Sequence, residues 1–552
     1  MNAAIYYHPE AYTTNSPKLM GRNAAGESFL RGYLQYARAD SFWTQVQIPE
    51  HAQSFAQAVK AAGRSEPVTM VDKNSIGRLS QPGVVYHPGP GIGDHAWQRS
   101  FYGHGAWSLC GITHTTASAG AMDALAQLLA VPVQPWDAVI CTSNAVKNQV
   151  IRLLQAQADY LVQRFCAQRF VMPQFPVIPL GIHTGDFQFS EQEKAAARAA
   201  VGADEDTLVV LYAGRLSFHA KAHPLAMYQA LEMALTVLPE GKRVLLVECG
   251  WHANDFIAKA YSDAASQACP GVRVVSLDGR NMESRKIAWA CADVFCSLSD
   301  NIQETFGIVP VEAMAAGLPV VVSDWDGYRD TVRHEVDGFR VPTLMPGAGT
   351  GRALALRHAL EIDTYDVYCG FTCSFVAVDV HAAADAFRRL FESSELRKTY
   401  GEAGRRRAGD VYDWAVIIPQ YEALWEQLKE TRRAKSKELT RLPHPWPARM
   451  DPFDGFAGYS TRQLAPHTML GTDERDPVSA MQRVSEYRRL AMVNFAGPVL
   501  PTADEIEVVL SAAFNKPKPA GELIQEIPAD RQSFVFRSLV WLVKLGILNV
   551  YS

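Results

Sequence analysis

The chain of 552 residues lacks any apolar run long enough to cross a membrane. A transmembrane helix needs about 18 or more consecutive apolar residues, so none is predicted. The first residues, Met1–His8, carry no basic stretch followed by an apolar core, and we therefore expect no signal peptide. Together these features predict a cytoplasmic protein, with peripheral contact at a membrane as the alternative.

The sequence also lacks an excess of positive charge and a paired arrangement of cysteines. Its 53 Lys and Arg against 58 Asp and Glu give a net charge of −5, which argues against nucleic acid as a partner. Among nine scattered cysteines, Cys369 and Cys373 form the only close pair, and no zinc site is expected from them. No metal-ligand cluster is visible, and an odd number of cysteines fits a reducing compartment.

What the chain does contain is a repeated alternation of short apolar runs and helical patterns. Its length and 48% hydrophobic content suggest three or four domains with large cores. The alternation predicts an α/β fold with parallel, doubly wound sheets, and its restart near residue 208 predicts two Rossmann-like domains facing one another. Candidate strands are Ala3–His8, Thr69–Asp72, Val84–His87, Leu109–Thr113, Ala138–Thr142, Val177–Leu180, Leu208–Ala213, Arg243–Glu248, Val272–Leu277, Val294–Ser297 and Val320–Ser323, with helices such as Glu27–Ala37 and Ala121–Leu129 between them.

The expected domain boundaries follow changes in this pattern. Residues 343–375 are less regular and are interpreted as a loop, with an insertion around Met345–Gly351. The basic run Lys429–Lys437 is interpreted as a solvated helix end, with contact to an anionic membrane as the alternative. Alternate prolines in Pro443–Pro447 forbid a helix and mark a linker. We expect a first Rossmann-like domain at 1–185, a second at 186–412, a helix crossing back to the first at 413–430, a linker at 431–450 and an accessory domain at 451–552.

The last hundred or so residues predict a small, mainly helical domain that could resemble a winged helix. Basic and acidic residues are equal in number from Arg441 onward, so the tail has no basic footprint for DNA. Its last helix is apolar almost all round, which favours packing or dimerisation. The predicted elements are helices at Ala503–Phe514, Gly521–Glu526 and Arg531–Leu545 and a strand at Ile547–Tyr551.

The most informative residues are two glutamates eight positions apart, Glu304 in a predicted loop and Glu312 in a predicted helix. Gly307 lies between them, and Pro310 suits the first turn of that helix. A helix N-terminus after a glycine turn offers free N–H groups and a positive dipole end, which suit a phosphate. Such a spacing alone is weak, because two surface glutamates are ordinary. Two acceptor carboxylates beside a phosphate cradle, flanked by buried strands, nevertheless indicate a sugar nucleotide.

This ordered string resembles the donor half of retaining glycosyltransferases with the GT-B fold, of the family 4 (glycosyl transferases group 1) type. The resemblance covers roughly residues 1–430 and is most specific between 208 and 342. It implies that Glu304 receives a hydroxyl of the donor sugar and Glu312 the ribose hydroxyls. It also implies that backbone N–H groups around Phe306, Gly307 and Ile308 meet the phosphate.

A second element, Gly214-Arg215 followed by Lys221, resembles the Gly-Arg-Leu…Lys element of the same family. The Arg–Lys spacing is six here, where five is common. The resemblance implies that Arg215 and Lys221 hold the donor diphosphate, and fixed cations would stabilise the charge that develops on this leaving group. The alternative is surface ion pairing, which is common for either residue type.

Three further positions are candidates by resemblance or by place. Gly279 follows a predicted strand and is expected to line the base pocket, although a plain surface turn fits equally well. Gly26 resembles the family's glycine-rich first loop, but Ala25 replaces the usual first glycine, and a tight turn for helix packing is the alternative. His114 ends an apolar strand and matches a family histidine near the donor sugar, although Thr115 replaces the usual aspartate and a structural role is the alternative.

These features predict a retaining glycosyltransferase that moves a hexosyl group from a nucleotide sugar, UDP- or GDP-linked, to a hydroxyl acceptor. The acceptor could be a glycan, a lipid-linked or a small molecule, as in polysaccharide biosynthesis, and the loop His87–Trp97 is a candidate to contact it. No tightly bound cofactor or metal is expected, and a homodimer through the tail is one arrangement. The alternatives are a non-catalytic nucleotide-sugar or glycan-binding assembly protein, and a GT-B epimerase or phosphorylase.

Overall fold

The computed structural model describes residues 3–13, 21–439 and 444–551, except for the side chain of Arg22. The chain divides into two compact units, Met1–Trp446 and Pro447–Ser552, and each is described by itself. The predicted linker at 431–450 includes residues 440–443, which lie outside the described residues.

The first half of the larger unit is built on a parallel six-stranded sheet. Its strand order is β3-β2-β1-β4-β5-β6. Most of its strands are short apolar runs buried on both faces, as expected for a parallel sheet covered by helices. The elements are β1 (Ala4–Tyr6), α1 (Gly21–Tyr36), β2 (Phe42–Gln45), α2 (Pro49–Ala61), β3 (Val68–Val71), β4 (Val84–Tyr86), α3 (Gly93–Ser100), β5 (Ser108–Ile112), α4 (Ala119–Gln127), β6 (Ala138–Ile140) and α5 (Asn144–Phe165).

The second half repeats this plan with a second parallel six-stranded sheet, which confirms the predicted pair of doubly wound sheets. Its strand order is β12-β11-β10-β7-β8-β9, the same winding read from the opposite edge. Its elements are α6 (Glu191–Ala200), β7 (Thr207–Ala213), α7 (Leu225–Ala234), β8 (Arg243–Gly250), α8 (Asp255–Ala268), β9 (Arg273–Asp278), α9 (Met282–Cys291), β10 (Val294–Ser297), α10 (Ile308–Ala315), β11 (Val320–Ser323), α11 (Tyr328–Thr331) and β12 (Gly338–Val341).

Around the two six-stranded sheets, the strand predictions failed at three places. Val177–Leu180 is not a strand and makes only one bridge, between Val177 and Cys141. Pro176 and Pro179 explain this, because proline cannot donate to a strand ladder. The strands β2 and β12 were missed: β2 is only partly apolar, and β12 begins at a glycine.

Residues 343–375 are more regular than predicted. The loop expected around Met345–Gly351 is present, but it leads into two helices, α12 (Arg352–Ala359) and α13 (Tyr365–Cys373). Two short antiparallel strands, β13 (Thr343–Leu344) and β14 (Ala377–Val378), close this segment. Gly370 lets α13 approach closely, because a Cβ there would lie 2.7 Å from the Cβ of His219. The segment is therefore a helical insertion that packs on the loop carrying Lys221.

The larger unit ends with α14 (Val380–Glu392), α15 (Ser394–Arg407) and α16 (Trp414–Lys435). Helix α16 packs against α1 of the first half, where Trp414 Nε1 donates to Ser28 Oγ at 2.8 Å. The predicted solvated end of this helix is wrong for Lys429 and Arg432, which are 2% and 8% exposed. Arg432 donates to the carbonyls of Gly83 and Ala106, so it is used to fix α16 to the first sheet.

The smaller unit combines helices with a three-stranded antiparallel sheet of order β16-β15-β17. Leu510, Leu539 and Leu542 are buried in its own apolar core. The predicted helix Gly521–Glu526 is only a 3₁₀ turn at Glu522–Ile524, and α21 buries one face while Val540 stays 52% exposed. Its helices and strands are α17 (Pro452–Gly455), β15 (Met469–Gly471), α18 (Pro477–Arg488), α19 (Ala491–Asn494), α20 (Ala503–Ala513), β16 (Lys518–Pro519), α21 (Ala529–Lys544) and β17 (Asn549–Tyr551).

Within the described ranges, no helix combines the length and the apolar character that a membrane span requires.

Candidate functional site

The candidate site lies where the winding of the second sheet reverses. Strands β7 and β10 are neighbours, but the chain leaves them toward opposite ends of the sheet. In open α/β sheets this switch point leaves a crevice beyond the carboxyl ends of the strands. The segment Gly214–Lys221 follows β7, and Ser299–Gly307 follows β10, so the fold brings the two predicted motifs to one edge.

Glu304 and Lys221 form an ion pair at this edge, and their side chains are 10% and 25% exposed. The second carboxylate oxygen, Oε1, accepts hydrogen bonds from the N–H groups of Thr305 at 3.3 Å and Gly307 at 3.2 Å. Burial acts to raise the pKa of Glu304, but the charge of Lys221 and these hydrogen bonds outweigh it, and the pKa is lowered. The site therefore holds a charged carboxylate against a lysine.

Gly307 sets the start of α10. It has a left-handed φ of 86°, and a Cβ there would lie 2.2 Å from the ring of Tyr328, so no other residue type fits. No side chain caps the helix that begins at Ile308. Its first N–H groups and its positive dipole end therefore lie at the crevice edge beside Glu304. The ring of Phe306 is buried, so only its backbone is offered to this edge.

Glu312 lies one turn further along α10. Burial raises its pKa to about 7, although the charges of Arg285 and Lys221 act in the opposite direction. At neutral pH this carboxyl is therefore held near its titration midpoint and responds to any ligand that favours the ionised form.

The loop after β7 is shaped by its own contacts. Gly214 has a φ of 147°, and Arg215 Nη2 donates to the carbonyl of Ala220 at 2.7 Å. This bond folds the loop back on itself and places Arg215 and Lys221 on one short segment. Both cations therefore lie on the loop at the carboxyl end of β7, and Lys221 pairs with Glu304 beside the N-terminus of α10.

Thr305 connects this edge to the first half of the unit. Its Oγ1 donates to the carbonyl of His114 at 3.1 Å, and its own carbonyl accepts from Thr142 Oγ1 at 3.2 Å. His114 therefore lies in the same cleft as Glu304. Sequence reasoning missed Thr305 and Thr142, because the contacts join residues more than 160 positions apart and carry no local signal.

Two more contacts cross the cleft. Tyr365 of α13 and Thr115 share a hydrogen bond of 3.2 Å between their hydroxyls. The N–H of Asn144, in the first turn of α5, donates to Asp330 Oδ2 at 2.6 Å. The N-terminus of a helix is a favourable place for a carboxylate. The insertion and α11 therefore both help to hold the two halves in the observed arrangement.

Asp326 was also missed as a site residue. It adopts a left-handed φ of 43°, which is uncommon outside glycine and marks stored strain. Burial and the charge of Glu304 raise its pKa well above its usual range. The adjacent Gly327 rests on Phe306, where a Cβ would lie 2.4 Å from the Cα of Phe306. This turn therefore packs against the Glu304–Gly307 segment through the backbone of Phe306.

The remaining predicted residues lie apart from the pair. Gly279 follows β9 and Glu304 follows β10, so both lie at the carboxyl end of the sheet, but β7 and β8 separate their strands. Gly279 packs on the backbone of Gly250. Gly26 is not in a loop: it lies inside α1, where a Cβ would meet the carbonyl oxygen of Ala11 at 1.9 Å. The glycine there serves close packing, and the residues before it, 14–20, lie outside the described chain.

No group of three or more His, Cys, Asp or Glu side chains that could hold a metal ion occurs in the described part of the chain. The positive charge at this site comes from Arg215, Lys221 and the N-terminal end of α10. These groups are of the kind that stabilise a bound diphosphate.

Comparison with known proteins supports the same assignment for the second half. Residues 193–344 match the family model for glycosyl transferases group 1. An uncharacterized glycosyltransferase of Methanocaldococcus jannaschii is 28% identical over 222 residues, 39% of this chain and 50% of the relative. A phosphatidyl-myo-inositol mannosyltransferase of Mycobacterium leprae is 35% identical over 140 residues, 25% of this chain and 28% of the relative. The chain spans half or less of the length of these curated relatives.

Solved structures show the same fold at lower identity. HepE of Anabaena, crystallised with UDP, superposes with a TM-score of 0.50 and 16% identity over 77% of this chain and 100% of that chain. A glycosyltransferase of Rickettsia africae superposes with a TM-score of 0.50 and 12% identity over 77% of this chain and 98% of that chain. The larger unit therefore has the GT-B fold, and residues 193–344 are similar to the glycosyl transferases group 1 family.

Proposed function

We propose that this protein is a retaining glycosyltransferase that moves a hexosyl group from a UDP- or GDP-sugar to a hydroxyl of an acceptor. The observation that carries the proposal is the Lys221–Glu304 pair beside the uncapped N-terminus of α10, at the switch point of the second sheet. Cations, N–H donors and acceptor carboxylates occur together there, which suits a sugar diphosphate better than either part alone.

Each group has a separate role in the proposed reaction. Arg215, Lys221 and the N-terminus of α10 bind the diphosphate and stabilise its charge as the bond to the sugar C1 breaks. Glu304 accepts a hydrogen bond from a hydroxyl of the donor sugar, and Glu312 accepts hydrogen bonds from the ribose hydroxyls. The acceptor oxygen forms the new bond to C1, and the proton of its hydroxyl passes to the departing diphosphate. His114 lies where the first half meets the sugar.

Support for hexosyl transfer comes from the names of the relatives. The Mycobacterium leprae relative is a mannosyltransferase, and a relative in Xylanimonas cellulosilytica, 31% identical over 203 residues, is a D-inositol 3-phosphate glycosyltransferase. The acceptors of those proteins are not carried over, because the matched segments cover only 36% and 25% of this chain.

A panel of UDP-, GDP- and ADP-linked hexoses tests the proposal. We expect slow hydrolysis of one donor without acceptor, measured as released nucleotide, and an anomeric configuration of the first product that matches the donor. Glu304→Gln should abolish this turnover in a folded protein. If one nucleotide sugar binds and none is turned over, the chain is a binding module; if none binds, the proposed function is wrong.

Replacing Glu312 by glutamine is expected to weaken nucleotide binding about five- to tenfold at pH 8. In the wild type the affinity should rise between about pH 6 and pH 8, because Glu312, with a pKa raised to about 7, becomes the better acceptor when ionised. The variant should show no such rise. Isothermal calorimetry at several pH values measures both effects. Glu283→Gln is the matched control, because Glu283 is an exposed glutamate at the start of α9.

The same substitution should raise the stability of the protein at pH 8. The folded protein binds the Glu312 proton more tightly than the unfolded chain does, so ionisation makes unfolding easier as pH rises from about 4.5 to 7. A melting temperature that falls at pH 8 in the variant would contradict the raised pKa of Glu312, and unchanged nucleotide binding would contradict the ribose assignment.

A further inference from the structure

A cavity separate from the Lys221–Glu304 pair lies on the face of the second sheet that α8 covers. It occupies about 370 Å³ between α8 and the edge strand β9. Tyr261 and Ser262 line it from α8, Ser276 from β9, and Glu248 and His252 from the end of β8. Its size is within the range of about 300–1,000 Å³ that is usual for small-molecule sites.

Two buried polar atoms at this cavity have no hydrogen-bond partner among the described residues: the hydroxyl of Tyr261 and Nε2 of His252. The side chain of Tyr261 is 4% exposed, and its ring contacts the imidazole of His252 edge to face at 5.2 Å. Folded proteins rarely leave such groups unsatisfied, because each loses its hydrogen bonds to water on burial. At a cavity of this size, such groups can bind water or the polar groups of a ligand.

Glu248 adds a third polar group. It is 3% exposed, and one carboxylate oxygen, Oε1, accepts a hydrogen bond from the hydroxyl of Tyr228 at 2.5 Å. Burial raises the pKa of Glu248 to about 7, so at neutral pH the carboxyl can act as donor or as acceptor. Burial also lowers the pKa of His252, which keeps its ring neutral with the same double capacity.

The lining chemistry selects one class of ligand. Neither Lys nor Arg lines the cavity, so an anion would find no cation. A metal ion would find one carboxylate, where hard cations require several oxygen ligands. An apolar ligand would leave the polar groups unpaired. Groups that donate or accept as required suit hydroxyls, and Ser262, Ser266 and Ser276 add three more of this kind.

We propose that this cavity is a second binding site, for a neutral polyhydroxylated ligand of monosaccharide size. Tyr261, His252 and Glu248 hold its hydroxyl groups, and the serines of α8 and β9 cover its open side. Lys221 and Glu304 do not line this cavity, although His252 pairs with Leu216 in the loop after β7, so the two sites are tested with separate variants.

Ligand-observed NMR and calorimetry with D-glucose, D-mannose, D-galactose and myo-inositol test this site in the full chain. We expect at least one of these to bind in the millimolar range and Tyr261→Phe to weaken it tenfold or more. Lys221→Ala, at the donor site, should leave this affinity unchanged. Tyr160→Phe is the matched control, because Tyr160 is an exposed tyrosine on α5.

Thermal unfolding without any sugar separates a binding role from a structural one. Because the Tyr261 hydroxyl has no partner in the described chain, Tyr261→Phe should leave the melting temperature unchanged or slightly higher. A drop of several degrees would show that the hydroxyl holds the fold and would overturn the proposal. So would the absence of binding by all four compounds, binding that Tyr261→Phe leaves intact, or binding that Lys221→Ala abolishes.

Discussion

Replacing Lys221 by alanine is expected to lower the rate of glycosyl transfer by about 10²–10³-fold. Lys221 is paired with Glu304 and stands beside the N-terminus of α10, where the diphosphate of a donor would develop charge. Removal of a fixed cation from such a place raises the energy of the transition state more than that of the bound donor. The loss should therefore appear mainly in kcat, measured from initial rates with the donor found by the panel.

The variant also leaves Glu304 without its cation. The pKa of Glu304 is lowered in the folded protein, so its ion pair stabilises the fold above about pH 4.5 and is lost as pH falls through the folded pKa. Lys221→Ala should accordingly melt below the wild type at pH 7, with the difference shrinking toward pH 4. Activity is compared at a temperature where both proteins are folded.

Lys259→Ala is the matched control. Lys259 forms an exposed ion pair with Asp263 on α8 and has no proposed role in donor binding. It should retain wild-type activity. A Lys221→Ala protein that is folded and within threefold of wild-type kcat would remove the diphosphate role from this lysine.

Replacing Thr305 by valine is expected to lower kcat by about 10–100-fold while the KM for the donor changes little. Valine has nearly the same shape but cannot donate to the carbonyl of His114, so one of the bonds that joins Glu304 to the first half is lost. The donor-binding groups all lie in the second half and keep their places. Sugar and acceptor would then meet less often in the reactive geometry.

Thr305→Ser distinguishes positioning from packing, since serine keeps the hydroxyl and loses only the methyl group. It should recover most of the activity. Thr236→Val is the control, because Thr236 makes the same kind of bond to a nearby carbonyl at an exposed place. Equal kcat values for Thr305→Val and the wild type would show that this cross-cleft bond has no part in the reaction.

The proposed donor site could be located from the sequence because its signals are local. Glu304, Gly307 and Glu312 lie within nine residues, and the turn, the helix start and the carboxylates all depend on that short stretch. Lys221 was found in the same way, from the segment after β7. Its pairing with Glu304 then follows from the strand order, which makes β7 and β10 neighbours.

The rest depended on contacts between distant parts of the chain. The bond of Thr305 to His114 and that of Tyr365 to Thr115 join the two halves of the larger unit and leave no pattern in either segment. The sequence predicts that Lys429 and Arg432 belong to a solvated basic run, yet both are buried. Arg432 donates to the backbone carbonyls of Gly83 and Ala106, which the sequence does not mark, and Lys429 pairs with Glu426. Gly26 packs closely on Ala11 inside α1, which fits the helix-packing alternative, because a glycine required by a close helix contact looks the same in sequence as one required by a loop.

The proposed domain boundaries, dimer and membrane contact stay predictions. Burial of Lys429 and Arg432 takes two charges out of the basic run that motivated the membrane prediction.

Amide hydrogen exchange with saturating UDP, GDP or ADP tests the central claim most directly, because it reports where the nucleotide binds. We predict that one of the three slows exchange in residues 214–222 and 304–316, the two segments that meet at the switch point, and that Lys221→Ala reduces this protection. Exchange that is unchanged in both segments with all three nucleotides would contradict the assignment of a donor site to this edge of the second sheet.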